Sequence, residues 1–214
     1  MGKIETHNKS LQLTFASLGQ LSSNVSPEGE MPPNRSSLDR FIEALPKFFA
    51  ADMIRIEKVK LPGSSETNWD APARQEMKRK FDVWLKQELG LHTADVEETL
   101  FVEGLFGDLP AGARGEFFGS VCCPDLALKS NDGYTIAIEL DRGSSGARLR
   151  NALTKASFNV IVGGFDRSIV LFFVELKDRQ QRETKFDPNN HILKLFKDKF
   201  STSVCFITNY EPLP

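Results

Sequence analysis

The sequence predicts an α/β domain in which a central mixed β-sheet is flanked by helices. Patterns typical of helices and of strands alternate along the second half of the chain, as they do in this class. Residues 169–174, Ile-Val-Leu-Phe-Phe-Val, form an uninterrupted apolar run, which is typical of a central strand covered on both faces. The 214 residues suit one domain spanning 1–214, and a hydrophobic content of 40% with 17 Phe allows a substantial core.

The first half of the chain is predicted to contribute an arm and two helices. Residues 1–36 are expected to be a partly ordered N-terminal arm, because Ser, Pro, Asn and Gly crowd its second half. Ser37 is predicted to cap a helix over about 38–53, in which apolar residues recur every three to four positions. The clearest helical pattern covers 72–89 and ends at Gly90.

The second half of the chain is predicted to supply the sheet. A strand over 121–128 and a strand ending near Asp141 are separated by Asn131-Asp132-Gly133, a sequence that favours a tight hairpin turn. The later predicted elements, in order, are a helix over about 147–160, a strand over 168–176, a helix over about 189–200 that begins with Asp187-Pro188, and a strand over 203–208.

Three carboxylates are predicted to converge at one end of this hairpin. Glu139 and Asp141 lie two positions apart on a strand and therefore point to the same face, and the turn can bring Asp125 opposite them. Carboxylates that close repel one another unless a cation neutralises them. The alternative is that all three are merely solvated residues at strand ends.

The residue types at this point indicate a hard metal ion. Nitrogen and sulfur ligands are absent from the segment that carries Glu139 and Asp141, so Mg²⁺ is the predicted cofactor, with Mn²⁺ as a substitute. Magnesium held by a few carboxylates keeps open positions for water and phosphate, which favours phosphodiester hydrolysis. The sequence contains neither a Walker loop nor a defensible Ser-His-Asp arrangement, so those chemistries are not supported.

At these residues the chain resembles the PD-(D/E)xK nuclease superfamily, and within it the restriction endonucleases of the BamHI and BglII type. The resemblance covers residues 121–176, about a quarter of the chain. It implies a restriction-endonuclease-like fold and gives the family's metal-binding and catalytic acids to Asp125, Glu139 and Asp141. Most of the superfamily has Lys where this chain has Asp141, whereas BamHI-like enzymes carry a second acid there.

The missing signature lysine leaves open which residue supplies its positive charge. Lys155, on the next predicted helix, would stabilise charge developing on the phosphate if it projected back into the site, although a solvated helix face would also carry a Lys. Arg142 suits a phosphate contact better than proton transfer, because a guanidinium stays protonated. The resemblance also implies an upstream Glu in the metal shell, which is assigned to Glu116.

A small-residue turn that opens the next helix is the predicted DNA-contacting segment. Free N–H groups at a helix start favour phosphate oxygens, and Arg pairs well with guanine. The equivalent turn of BamHI-like enzymes approaches DNA. The alternative is that Ser145 only caps the helix and the arginines are solvated. The predicted DNA-binding residues are Arg142, Ser144, Ser145, Arg148 and Arg150.

Composition sets the expected partners and location. With 27 basic and 29 acidic residues the net charge is -2, so any contact with DNA depends on local patches. Neither a secretory signal nor a membrane-length apolar stretch is recognisable, and the three cysteines suit reduced thiols, so a cytoplasmic protein without a membrane partner is expected. The resemblance to restriction endonucleases implies that it is prokaryotic.

These patterns and the resemblance together predict a hydrolase, namely a magnesium-dependent endonuclease acting on double-stranded DNA. The resemblance implies site-specific cleavage, as in type II restriction, by a homodimer whose single nuclease domain spans 1–214. Two alternatives remain open. One is a non-site-specific or nicking repair or defence nuclease of the same superfamily, and the other is a catalytically inactive DNA-binding module.

Overall fold

Five α-helices and eleven β-strands make up the described part of the chain. The computed structural model describes residues 33–51, 53–57, 59–60, 67–110, 115–117, 120–175 and 186–213. The helices are α1 (Arg35–Ala51), α2 (Asp70–Leu89), α3 (Thr93–Thr99), α4 (Gly146–Ile161) and α5 (His191–Phe200). The strands are β1 (Ile54–Glu57), β2 (Val59–Lys60), β3 (Thr67–Asn68), β4 (Leu100–Val102), β5 (Gly115–Phe117), β6 (Ser120–Cys122), β7 (Leu126–Lys129), β8 (Thr135–Gly143), β9 (Arg167–Val174), β10 (Thr202–Ile207) and β11 (Tyr210–Leu213).

The central sheet has five strands in the order β10-β9-β8-β7-β4. Its β10-β9 and β9-β8 pairs are parallel, whereas its β8-β7 and β7-β4 pairs are antiparallel. The predicted α/β class with a mixed central sheet is therefore confirmed. The remaining strands form three two-stranded pairs, β1 with β11, β2 with β3, and β5 with β6.

Strand β9 is the central strand that the apolar run predicts. Its side chains alternate between two cores, one built with α1 and α2 and the other with α4. The first core takes Ile169, Leu171 and Phe173, and the second takes Val170, Phe172 and Val174. Because both faces are covered, an uninterrupted apolar sequence is what this position requires.

Two helix starts differ from their predicted positions. Helix α1 begins two residues before Ser37, and its cap is Asn34, whose Oδ1 accepts a hydrogen bond from Ser37 N at 3.0 Å. Helix α5 is capped by Asn190, whose side chain accepts from Ile192 N at 2.9 Å, and Asp187 lies in the turn before it. In both places an Asn caps the helix instead of the predicted Ser37 or Asp187, consistent with the high preference of Asn for the cap position.

The predicted strand over 121–128 is wrong, because the chain breaks there into β6 and β7. Pro124 lies between the two strands and has no N–H to donate to a ladder. Strand β6 pairs with β5 instead of continuing into the central sheet. Asp125 therefore precedes β7 rather than lying within it, and this frees its carboxylate to act as an acceptor at the end of the strand.

The predicted hairpin between β7 and β8 is confirmed. Gly133 in its turn has φ 84°, in the left-handed region that favours glycine. Strand β8 then runs to Gly143, so that Glu139 and Asp141 are both strand residues. No helix in the described residues is both long enough and apolar enough to cross a membrane. The predicted arm over 1–36 lies outside the described residues as far as 32.

Candidate active site

The register of the hairpin sets Asp125 against Glu139. Leu126 pairs with Ile138, and Asp125 is one residue before Leu126 as Glu139 is one residue after Ile138. The Oδ2 atom of Asp125 accepts a hydrogen bond from Leu140 N at 2.9 Å, which anchors its carboxylate to β8. The two acids at the centre of the predicted site thus lie on neighbouring strands at the same end of the hairpin.

Helix α4 closes over Glu139 with two polar side chains. Lys155 and Asn159 are one helical turn apart and therefore lie on the same side of the helix. Asn159 Nδ2 donates to Glu139 Oε1 at 2.6 Å, and Lys155 Nζ lies 2.5 Å from Oε2. Although 61% of the Lys155 side chain is exposed, its ammonium reaches the carboxylate.

The carboxylate of Glu139 is deeply buried. The residue is 1% exposed, its Oε1 accepts from Asn159, and its Oε2 faces the Lys155 ammonium. Burial raises the pKa of Glu139 to about 7; Lys155 and Asn159 lower it, and the nearby Asp125 carboxylate raises it. Glu139 can therefore hold a proton close to neutral pH until a cation replaces it.

The ammonium of Lys155 stays charged at this site. Partial burial lowers its pKa, but the carboxylates of Glu139 and Asp125 outweigh that effect and leave the pKa above its ordinary value. A lysine held in this state supplies positive charge and hydrogen-bond donors, and it is unsuited to removing a proton from water. Its suitable role is electrostatic.

Two residues that the sequence did not single out complete the cluster. Arg74, from α2, contacts the carboxylate of Glu103, and its Nη1 lies 3.4 Å from Asp125 Oδ1. Glu103 follows β4, and its backbone N–H donates to the carbonyl of Asp125 at 2.9 Å. Arg74 is one of five basic residues on α2 and Glu103 follows two other glutamates, Glu97 and Glu98, so no local pattern marks these two positions.

Asp141 lies at the same end of β8 but is only partly buried. Its Oδ1 accepts a hydrogen bond from the backbone N of Arg142 at 2.7 Å. Burial raises the pKa of Asp141, and the Asp125 charge acts in the same direction; the backbone bond, Arg148 and Lys155 act against it. Asp141 is therefore within electrostatic reach of the other members of the cluster.

The acidic side chains of the cluster suit a hard cation, although in the structure they pair with the positive charges of Arg74 and Lys155. Every acidic donor offers oxygen, and the carboxylate of Glu139 is deeply buried. Among the described residues, however, no three acidic, His or Cys side chains lie close enough together to hold a metal ion. Asp125 and Glu139 instead contact Arg74 and Lys155.

Arg142 lies away from this cluster. Adjacent side chains on a strand alternate, so Arg142 points to the face opposite Asp141. Its Nη1 donates to Glu175 Oε1 at 2.9 Å, and its guanidinium lies 5.2 Å from the centroid of the Trp69 ring. Of the two predicted sources of positive charge, the structure brings Lys155 to the carboxylates and leaves Arg142 in an ion pair elsewhere.

The predicted DNA-contacting turn lies at the start of α4. Ser145 caps the helix, and its Oγ accepts from Arg148 N at 3.4 Å, as in the alternative interpretation. Ser144, Arg148 and Arg150 are exposed. A Cβ added at Gly143 would lie 3.1 Å from Arg148 Cβ, so the glycine lets the arginine stem pack closely across the end of β8.

Glu116, the predicted upstream ligand, lies in β5. Its side chain falls outside the described part of the structure, and its contact with a metal stays a prediction.

Comparison of the chain with models of protein families, with curated proteins and with solved structures finds no match.

Proposed function

We propose that this chain is a magnesium-dependent endonuclease that hydrolyses phosphodiester bonds of double-stranded DNA. The observation that carries the proposal is the set of Glu139 opposite Asp125, with the ammonium of Lys155 2.5 Å from the buried carboxylate. Two acids and a lysine at one point are the chemical groups of the acid-x-lysine signature. Here the lysine comes from a helix instead of from the strand.

Each member of the set has a physical role in such a reaction. Asp125 and Glu139 would hold the ion, with Asp141 as a further oxygen donor within reach. Bound magnesium supplies an activated water and neutralises charge on the phosphate. Lys155 stabilises the negative charge that develops on the phosphate oxygens. Asn159 fixes the orientation of Glu139 through its 2.6 Å hydrogen bond.

The surface beside the acids supports nucleic acid as the substrate. Ser144, Arg148 and Arg150 are exposed on the turn and first helical turn that follow directly from β8. A net charge of -2 makes such a local patch necessary for binding a polyanion. A two-fold pair of subunits would match a palindromic site, and we extend the proposal to a homodimer that cuts both strands.

Digestion of plasmid and phage DNA with Mg²⁺, with Ca²⁺ as the control ion, tests the proposal. Discrete fragments would indicate a site-specific restriction enzyme. A smear or nicked circles would indicate the non-site-specific nuclease, and binding in Ca²⁺ without cleavage in Mg²⁺ would indicate an inactive DNA-binding module.

Substitution of Glu139 tests the assignment of the site. Glu139→Gln and Glu139→Ala should each lower the cutting rate by about 1,000-fold or more, because a ligand that also sets the local charge is lost. The circular dichroism spectrum and thermal midpoint should stay close to those of the wild type. Glu88→Gln, an exposed change on α2, is the matched control and should cut normally. Wild-type cutting by Glu139→Ala would refute the carboxylate assignment.

A further inference from the structure

We propose that Arg74 is a phosphate-binding residue that pairs with Asp125 and Glu103 in the free protein. When a divalent cation is bound at Asp125, its guanidinium instead contacts a phosphate oxygen of the DNA. This role presupposes the nuclease function proposed above, and it belongs to a residue that lies outside the motif.

Arg74 lies between two carboxylates, one of which is largely buried and one of which lies nearer solvent. Its guanidinium contacts Glu103 and lies 3.4 Å from Asp125 Oδ1. The side chain of Asp125 is 11% exposed and that of Arg74 is 20% exposed, whereas that of Glu103 is 41% exposed. Arg74 thus pairs with one carboxylate near solvent and one near the proposed reaction centre.

A cation and the Arg74 guanidinium would compete for the same oxygen. Leu140 N already donates to Asp125 Oδ2 at 2.9 Å, so Oδ1, which Arg74 faces, is the oxygen without a backbone donor and the more available one for a cation. Two positive charges within about 4 Å of each other repel strongly in a sheltered site. Cation binding at Asp125 therefore displaces the guanidinium, while Glu103 keeps it at the rim.

The displaced guanidinium has donors to spare and a short distance to travel. A guanidinium carries five N–H donors in a planar fork that matches phosphate oxygens, and Glu103 occupies only part of that fork. A phosphodiester drawn to a cation at Asp125 would lie beside the guanidinium's starting position. The guanidinium can then exchange its contact with Asp125 for a contact with the phosphate. This exchange needs rotation of the Arg74 side chain and no movement of α2.

The simpler explanation is that Arg74 only ties α2 to the sheet and neutralises two acids. A lysine would neutralise those acids almost as well, but it lacks the planar fork. Arg79, on the same helix, supplies a matched control because it makes a two-pronged contact with Glu76 at 2.9 and 2.8 Å and is 64% exposed. The two explanations predict different cleavage rates for Arg74→Lys, which keeps the charge but loses the fork.

The experiment compares the wild type with Arg74→Gln, Arg74→Lys and Arg79→Gln. Ca²⁺ is titrated calorimetrically without DNA, and plasmid cleavage is measured with Mg²⁺. Arg74→Gln should bind Ca²⁺ about threefold to tenfold more tightly, because its competitor is gone. Its kcat should fall about 100-fold, because a donor to the transition state is gone. Arg79→Gln should match the wild type in both measurements.

Arg74→Lys keeps the charge and therefore serves if Arg74→Gln fails to fold. Its Ca²⁺ affinity should stay near that of the wild type while its kcat falls about tenfold. The Arg74 role is overturned if Arg74→Gln or Arg74→Lys cuts at the wild-type rate while the wild type is active. It is also overturned if Ca²⁺ affinity is unchanged in Arg74→Gln and cleavage falls only in step with the thermal midpoint. If the wild type neither binds Ca²⁺ nor cuts DNA, the nuclease function itself fails, and the Arg74 role fails with it.

Discussion

Acidic residues cluster at both ends of β8, but the burial and the bonding partners of their carboxylates differ between the two ends. At the first end, Asp39 accepts from Tyr134 Oη at 2.8 Å and from Arg167 at 3.2 Å, and Asp166 accepts from Thr135 N at 2.8 Å. These acids are partly or fully exposed and hydrogen-bonded. At the other end Glu139 is 1% exposed and its carboxylate is held between Asn159 and Lys155.

The difference separates a structural cluster from a candidate reactive one. The first cluster ties α1 to the sheet through ordinary hydrogen bonds, each worth about 1 kcal/mol to stability. The second holds a buried carboxylate with its pKa raised to about 7, which is costly to the fold and common at functional sites. Acidic residues alone thus say little, and deep burial with a raised pKa says more.

Removal of the Lys155 ammonium should severely impair cutting while leaving the first end of β8 unchanged. We expect Lys155→Met to lower the DNA cutting rate by about 100-fold, because the positive charge beside the phosphate is lost. The pKa of Glu139 should rise further, since Lys155 now lowers it. Cutting is measured on supercoiled plasmid, with Lys197→Met on the exposed side of α5 as the control. A near-normal rate in Lys155→Met would show that this lysine is only a solvated helix residue.

A change of pH should alter the cation affinity at the Glu139 end of β8. Glu139 must lose its proton to bind a cation, so Ca²⁺ affinity should rise by up to about tenfold per pH unit below 7 and level off above it. Calorimetric titration at pH values from 6 to 8 measures this change. In Glu139→Gln the same interval should produce little change, and an equal slope in that variant would assign the proton to another group.

The smallest effect is expected at the structural end. Tyr134→Phe removes the 2.8 Å hydrogen bond to Asp39, and it should lower the free energy of unfolding by about 1 kcal/mol. Urea denaturation measures the loss. DNA cutting should stay within about twofold of the wild type, because this end of β8 lies outside the proposed site. A large loss of cutting with an unchanged unfolding free energy would contradict the division between the two ends.

Local pattern was sufficient to predict the hairpin and its two opposed acids. Alternation along β8 and a tight turn at Gly133 depend on neighbouring residues, and these rules placed Asp125 against Glu139 correctly. The break at Pro124 was missed, although the missing N–H of proline is itself a local signal. The helix caps were missed because several cap-forming residues stood side by side.

The partners of the acids were beyond the reach of local rules. Arg74 and Glu103 reach Asp125 from α2 and from the turn after β4, and only the packing of those elements brings them there. Lys155 was a candidate, but choosing between a solvated lysine and one that faces Glu139 required the rotation of α4 about its axis. Arg142 is the opposite case, because strand alternation alone is enough to predict that its side chain points away from the acids.

The bond from Leu140 N to Asp125 Oδ2 makes one backbone amide a natural reporter of the site. Its proton and nitrogen resonances depend on the charge of that carboxylate, so any cation, phosphate or neighbouring side chain that alters Asp125 should move the Leu140 signal in an NMR spectrum. Titrations can therefore be followed at the candidate site of the unmodified protein, without a label attached to it or a substitution made in it.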